Sequence, residues 1–351
     1  AAVVRQFDVA GPGFINIHLA DDWLADSLNA VPPAGRPDRL GIPLTSDPLS
    51  VVVDYSSPNV AKQMHVGHLR STIIGDTIAR VLAFTGHRVV RQNHVGDWGT
   101  QFGLLIAWLK EKMPDALDGS NAAHVADLEA FYKEANAQAE RDPDLADRAR
   151  AEVVALHRGD PDALRAWRYI LDESRNHYLP IYRRLGVSLT PDDERGESFY
   201  NDRLPALVAD LEKGFGPSAS SPAAAPDLPR VRVEHSDGAL CVFHLTSDGR
   251  PLFKNPEGKP LPMIIRKSDG AFLYATTDLA ALRFRIEELR ADRIIYVTDA
   301  RQAQHFEMVF AAGRGYGWTR RPGKPDVVLE HASIGSILGE DRRPLKTRSG
   351  R

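Results

Sequence analysis

Cysteine is almost absent from this chain: of 351 residues, only Cys241 carries a thiol. A single cysteine can close neither an intrachain disulfide nor a cysteine zinc cage, which points to a reducing, cytoplasmic setting. Long apolar runs are missing as well, and so is a charged-then-apolar leader, so neither a bilayer span nor an export signal is expected. A dominant charge is lacking too, since 44 Lys and Arg stand against 47 Asp and Glu for a formal charge of −3. That balance excludes nucleic-acid binding driven by bulk charge and leaves a local basic patch open. What the chain does have is a 43% hydrophobic content, over a length that favours two or more domains with a sizeable core. It starts at Ala1 without methionine and ends in the polar run Lys346 to Arg351, so it is expected to be part of a longer protein.

The chain is organised around VVVDYSSPNVAKQMHVGHLRST, Val51 to Thr72. Three consecutive β-branched residues without polar alternation suit a strand of a parallel sheet covered on both faces. Pro58 fixes its own φ and pushes Ser57 toward extended backbone, so the strand gives way to a loop there. Beyond His65-Val66-Gly67-His68 the pattern turns helical, with Ile74, Ile78, Val81 and Leu82 on one expected face. Strand, polar loop and helix start in one short segment mark the place where a doubly wound sheet binds a nucleotide.

In order, Phe14, Ile15, Ile17 and Leu19 are expected to form a strand with Asn16 and His18 on its other face, and Asp22 to Ala30 a short helix. Pro32 to Pro48 reads as a linker. Arg88 to Asn93 is a second strand, completing a right-handed βαβ unit with the first strand and the helix after it, and 100–113 is a further helix. Asp115 to Trp167 is a helical insertion, Arg175 to Leu185 a helix, Gly186 to Leu189 a returning strand, and Asp192 to Tyr200 a charged loop. The Pro/Ala/Ser-rich Gly214 to Pro229 is expected to be an exposed loop, followed by a small β insertion over Val231 to Leu245 and Met263 to Ile265 with turns at Asp237-Gly238 and Asp248-Gly249. The pattern then returns to α/β: strand Phe272 to Tyr274, helix from Thr276 through Phe284, strand Ile294 to Val297, helix Arg301 to Ala312 and strand Val327 to Leu329. The expected fold class is α/β, a Rossmann-like doubly wound parallel sheet with helical and β insertions.

On its own, His65-Val66-Gly67-His68 is equally a tight helix entry with surface histidines, and spacing supplies no further zinc ligands. Its functional reading is a phosphate site made by backbone N–H groups at the helix start and two imidazoles, with Gly67 leaving room for a flat base. The context decides. SSPNVAKQMHVGHLRSTIIGD resembles the nucleotide-binding signature of class I aminoacyl-tRNA synthetases, and within them that of the arginyl-tRNA synthetases. HVGDWGTQFG at His94 to Gly103, YATTDLAA at Tyr274 to Ala281 and DARQAQHF at Asp299 to Phe306 are similar to three further signatures of that family, in the same order. FDVAGPGFINIHL looks like the end of its N-terminal domain.

The resemblance implies a division into 1–30, the end of an N-terminal domain and connector; 50–113, the first half of a catalytic domain; 114–170, a helical insertion; 171–213, a return to the catalytic domain; 214–262, a loop and β insertion; and 263–351, the second half, with a C-terminal anticodon-binding domain not included. It implies activation of L-arginine by ATP, with Mg²⁺ accompanying the ATP, and transfer to tRNA(Arg), by a cytoplasmic monomer with no membrane partner. Asp278 and Tyr274 would hold the guanidinium, while Asp54, Asn59 and Gln302 contact the amino acid; Asp54 stands where the family more often has Glu. By position alone, Asp278 is also an ordinary helix-start acid. His65 and His68 would stabilise the phosphates, beside Gly67. Lys346 lies in KTRSG, the counterpart of a lysine-rich loop that is degenerate in arginyl enzymes, where the lysine before HxGH, here Lys62, takes its place. Two other readings remain open: a small-molecule adenylyltransferase using the same turn, and a catalytically silent piece that binds tRNA or a protein.

Overall fold

The computed structural model describes residues 2–31, 39, 41–60, 62, 64–117, 128–215 and 229–335. At its centre is a four-stranded parallel sheet of β3 (Ser50–Asp54), β4 (Arg88–Gln92), β8 (Arg293–Tyr296) and β9 (Val328–His331), in the order β4-β3-β8-β9. Val51, Val52 and Val53 are fully buried, as the unbroken β-branched run predicts. Alternate residues point to opposite faces: Val52 joins a core with Leu279, Leu282 and Val309, whereas Val51 and Val53 pack with Ala79, Tyr178 and Tyr182. The chain leaves β3 toward β4 on one side and later returns to β8 on the other, so the strand order reverses beside β3. In such a sheet the usual place for a ligand is a crevice beyond the carboxyl ends of the strands at that reversal.

The remaining elements hang on that frame. An antiparallel pair, β1 (Val4–Ala10) and β2 (Phe14–Leu19), precedes α1 (Asp21–Asn29). All six β2 residues are exposed, and the two-residue period places Phe14 with Asn16 and His18 rather than with Ile15 and Ile17. Helix α2 (Val66–Phe84) links β3 to β4, and α3 (Thr100–Lys112) follows. The helical insertion consists of α4 (Pro114–Leu117), α5 (Leu128–Ala139), α6 (Pro143–His157) and the first turns of α7 (Pro161–Leu185). It packs on Phe102, Leu105, Ile106 and Leu109 of α3. Gly103 makes this approach possible, since a Cβ there would stand 2.2 Å from the Ala149 carbonyl oxygen. After α8 (Glu197–Tyr200) and α9 (Leu204–Phe215) come β5 (Arg230–Ser236), β6 (Ala239–Leu245) and β7 (Met263–Arg266), an antiparallel sheet turned at Asp237-Gly238. Helices α10 (Tyr274–Glu287) and α11 (Ala303–Gly315) then flank β8.

Four expectations change. Helix α2 buries Ser71, Thr72, Gly75, Asp76 and Ala79, while Ile74 and Val81 are exposed. The reason is the residue after β3: Tyr55 lies where a Gly75 Cβ would be, 2.2 Å from its own Cβ, and its hydroxyl donates to Asp76 Oδ1 at 3.0 Å. Gly186 to Leu189 form no strand, because the Ser188 N–H and hydroxyl donate to Asp76 Oδ1 instead of to a ladder. Phe272 makes one isolated bridge to Arg266, Leu273 caps α10, and Tyr274 is already helical, with Thr276 Oγ1 donating to the Ile265 carbonyl at 2.5 Å. The charged run 192–200 is not an open loop: Tyr200 is fully buried. The linker residues 32–38 and 40, residues 118–127 of the insertion, residues 216–228 of the Pro/Ala/Ser-rich run and the KTRSG loop with Lys346 lie outside the described residues.

Candidate functional site

The crevice is built first by the turn after β3. Ser56 and Ser57 adopt φ +73° and +48°, so Ser57 is left-handed rather than extended as its place before Pro58 suggests, a conformation that costs a non-glycine residue about 1 kcal/mol or more. Hydrogen bonds hold them there. Ser56 N donates to Ser71 Oγ at 3.0 Å, its hydroxyl meets Tyr182 OH at 2.6 Å and accepts from Thr72 Oγ1 at 2.8 Å, and Ser57 N donates to Asn93 Oδ1 at 2.9 Å. Pro58 and Asn59 are then zipped to the His94–Gly103 segment: Gly96 N donates to the Pro58 carbonyl and Val60 N to the Gly96 carbonyl, both at 3.1 Å. A Cβ on Gly96 would stand 2.8 Å from Asn59 Oδ1. The insertion grips the same segment, for the Trp98 ring stacks on His157 at 5.2 Å and Trp167 Nε1 donates to the Asp97 carbonyl at 2.8 Å.

At the start of α2 the two histidines cap each other. His65 Nδ1 accepts from Gly67 N at 3.1 Å, His68 Nδ1 accepts from His65 N at 3.2 Å, and the rings lie 3.9 Å apart. An accepting Nδ1 carries no proton, so each neutral ring is the Nε2–H tautomer. Burial, and then the neighbouring His65, pushes the His68 pKa down to about 4. The helix-start N–H of Gly67 is thus engaged by an imidazole, and the groups offered at this turn are side-chain ones. Gly67 is required by the cap itself, since a Cβ would come within 2.9 Å of His65 Cε1. Lys62 is exposed, with Nζ 5.9 Å from the Tyr132 ring centroid in α5.

The second half of the chain supplies an acidic pocket. Asp278, one turn into α10, has Oδ2 2.6 Å from His305 Nε2 and Oδ1 3.9 Å from His94 Nε2. His94 Nδ1 contacts the Arg195 carbonyl at 3.0 Å, and the Tyr274 and His305 rings are 5.0 Å apart. Into this pocket the 192–200 run brings Glu197. Burial, then the Asp278 and Asp97 carboxylates, push its pKa up to about 8. Asp97 is itself raised by burial, against hydrogen bonds from Ser198 N at 2.8 Å and Ser198 Oγ at 2.6 Å. Gly196 is needed where it stands, as a Cβ would lie 2.4 Å from the Asp97 carboxyl.

Of the residues expected from sequence, Asp278 and Tyr274 adjoin through His305. Asp54 is only 5% exposed at the end of β3, its Oδ2 2.8 Å from Arg285 Nη2, and Oδ1 accepts from Ser57 Oγ at 3.3 Å. Arg285 also approaches Tyr296, its guanidinium carbon 4.9 Å from the ring centroid; burial raises the Tyr296 phenol, the Arg285 charge opposes this, and the Asp54 and Asp278 carboxylates add to it. Asn59 is exposed at the turn, and Gln302 is exposed at the N-terminus of α11, its N–H donating to the Asp299 carbonyl at 2.9 Å. Nothing in the sequence pattern by itself marks Glu197, His94, His305 or Arg285 as site residues. The compact Gly196-Glu197-Ser198 within a charged run is the nearest to a sign, because a glycine before an acid permits a close approach that a solvated loop does not need.

Among the described residues, no group of three or more His, Cys, Asp or Glu side chains is arranged to hold a metal ion, and no helix is long and apolar enough to cross a membrane. The family model described as tRNA synthetases class I (R), catalytic domain, matches residues 38–351. The chain is 51% identical over 346 residues to an arginine–tRNA ligase of Thermosynechococcus vestitus, covering 99% of this chain and 54% of that protein. It is 48% identical over 350 residues to one of Alcanivorax borkumensis, covering 99% and 55%. Among solved structures it is similar to the arginyl-tRNA synthetase of Plasmodium falciparum, with a TM-score of 0.69, 29% identity, and 96% of this chain and 53% of that one covered. The chain therefore spans about half the length of the curated relatives it matches.

Proposed function

The chain belongs to the family of class I (R) tRNA synthetase catalytic domains, and from that premise we propose that it activates L-arginine with ATP and passes the arginyl group to tRNA(Arg). The arginine carboxylate attacks the α-phosphorus in line, forming arginyl-adenylate and releasing pyrophosphate; the terminal ribose of tRNA then displaces AMP. No protein nucleophile is needed, so positioning and charge neutralisation carry the rate.

The observation that carries this reading is the pocket around Asp278. A guanidinium presents five donors in a plane, and the Asp278 and Glu197 carboxyls beside Tyr274 offer acceptors in one partly buried place. A lysine ammonium is compact and leaves acceptors there unmatched; rejection of an analogue by a site built for missing donors reaches ~10⁴-fold. Asp54, Asn59 and Gln302 take the α-amino acid end. His65 and His68 direct Nε2–H donors at the phosphates, Gly67 leaves room for the adenine, and Lys62 with Lys346 supplies positive charge during adenylyl transfer. Mg²⁺ accompanies ATP as part of the substrate. The protein acts as a monomer in the cytoplasm.

ATP–pyrophosphate exchange with arginine, run with and without tRNA(Arg), tests this. Arginine-dependent exchange is expected. Its absence in both arms, with tRNA still bound, would support a silent tRNA-binding piece.

A further inference from the structure

Arg285 is fully buried on α10, a position where a charged side chain is unusual. Its Nη2 lies 2.8 Å from Asp54 Oδ2, as a charge contact rather than an aligned hydrogen bond. Its Nε donates to Gln92 Oε1 at 2.6 Å, and its guanidinium carbon stands 4.9 Å from the Tyr296 ring centroid. The side chain thus touches the carboxyl ends of β3, β4 and β8 at once. Stability does not require such a pair. Desolvating two charges offsets much of their attraction, and apolar residues of similar volume serve a core as well or better. A buried ion pair at the strand ends of a ligand crevice therefore calls for another reason.

That reason lies in what the pair leaves of Asp54. With Oδ2 on Arg285, the carboxylate can no longer receive the two parallel donors of a guanidinium fork. Oδ1 remains, contacted by Ser57 Oγ at a loose 3.3 Å, on the side of the turn after β3. A single acceptor suits a compact ammonium. We infer that Arg285 is a positioning residue that holds Asp54 by Oδ2, so that Oδ1 receives the α-ammonium of the amino acid and the guanidinium is excluded from that end. Arginine carries a cation at each end, and Asp54 and Asp278 are two separate acids, both close enough to Tyr296 to raise its phenol. Arg285 therefore sets the direction in which the substrate lies. This rests on the reading that the pocket takes arginine.

The test is equilibrium binding of two ligands to the full chain: L-arginine, and 5-guanidinopentanoate, which is L-arginine without its α-amino group. Arg285→Gln should weaken L-arginine ~30-fold and change 5-guanidinopentanoate less than ~3-fold, because only the ammonium contact is lost. Arg285→Lys, which keeps the charge but not the fork, should fall between wild type and Arg285→Gln for L-arginine. The double variant Asp54→Asn/Arg285→Gln removes both charges together, so it guards against misfolding from an unmatched buried charge, and it should show the same selective loss. Equal losses for both ligands in the folded double variant, or unchanged L-arginine binding, would overturn the inference while the arginine pocket stands. A wild-type chain that binds neither ligand would overturn the pocket reading, and the inference with it.

Discussion

Asp278 of α10 and His305 of α11 meet at 2.6 Å, Oδ2 to Nε2, and so join two segments that the sequence shows only as separate signatures. The contact fixes the orientation of the carboxyl, with an imidazole against it. Asp278→Asn keeps the shape and removes the charge. Arginine-dependent exchange should fall by ~10²-fold or more, as expected when one member of a partly buried charge contact is lost. Steady-state kinetics near wild type would sink the assignment.

Glu197 gives the site a pH signature. In the unfolded chain its carboxyl titrates near 4.5, and in the fold near 8. Between those values the folded state retains a proton that the unfolded state has released, so the stabilising contribution is complete below 4.5 and is lost as the pH rises through 8. A bound guanidinium favours the ionised carboxylate. Arginine binding at pH 7 should therefore release up to about one proton, read as a dependence of calorimetric heat on buffer ionisation enthalpy. Glu197→Gln should abolish that dependence; a variant that keeps it shows that the proton comes from elsewhere.

The mutual histidine cap separates folding from chemistry. Asparagine is a good N-cap but places no donor where an imidazole Nε2–H reaches. His65→Asn should hold the melting temperature close to wild type and lower the adenylation rate ~10²-fold, whereas His65→Ala should lose about 1 kcal/mol of stability as well. If His65→Asn were as fast as wild type, His65 would be a cap and nothing more.

Lys62 lies exposed before this turn. If it spreads charge in the transition state, Lys62→Ala should lower kcat for adenylate formation while changing the KM for arginine little. An unchanged kcat would remove it from the mechanism.

Much of this was legible in the chain itself. The run Val51 to Val53 announces a doubly covered strand, and Pro58 with His65-Val66-Gly67-His68 announces the turn and helix after it. Tertiary contacts decided what periodicity could not. Tyr55 turns the small, polar side of α2 inward, against the apolar side a moment-based reading would bury. Ser188 prefers the Asp76 carboxylate to a strand partner. Glu197 and Arg285 escaped notice because charged residues are presumed solvated unless a partner is known, and their partners come from distant parts of the sequence.

The central claim is that the pocket around Asp278 recognises a guanidinium. Titration of the chain with L-arginine and with L-lysine, followed by calorimetry, tests it most directly. The account predicts saturable arginine binding and lysine weaker by ~10³-fold or more, with the preference lost in Asp278→Asn. Comparable affinities for the two amino acids in the wild-type chain would contradict it.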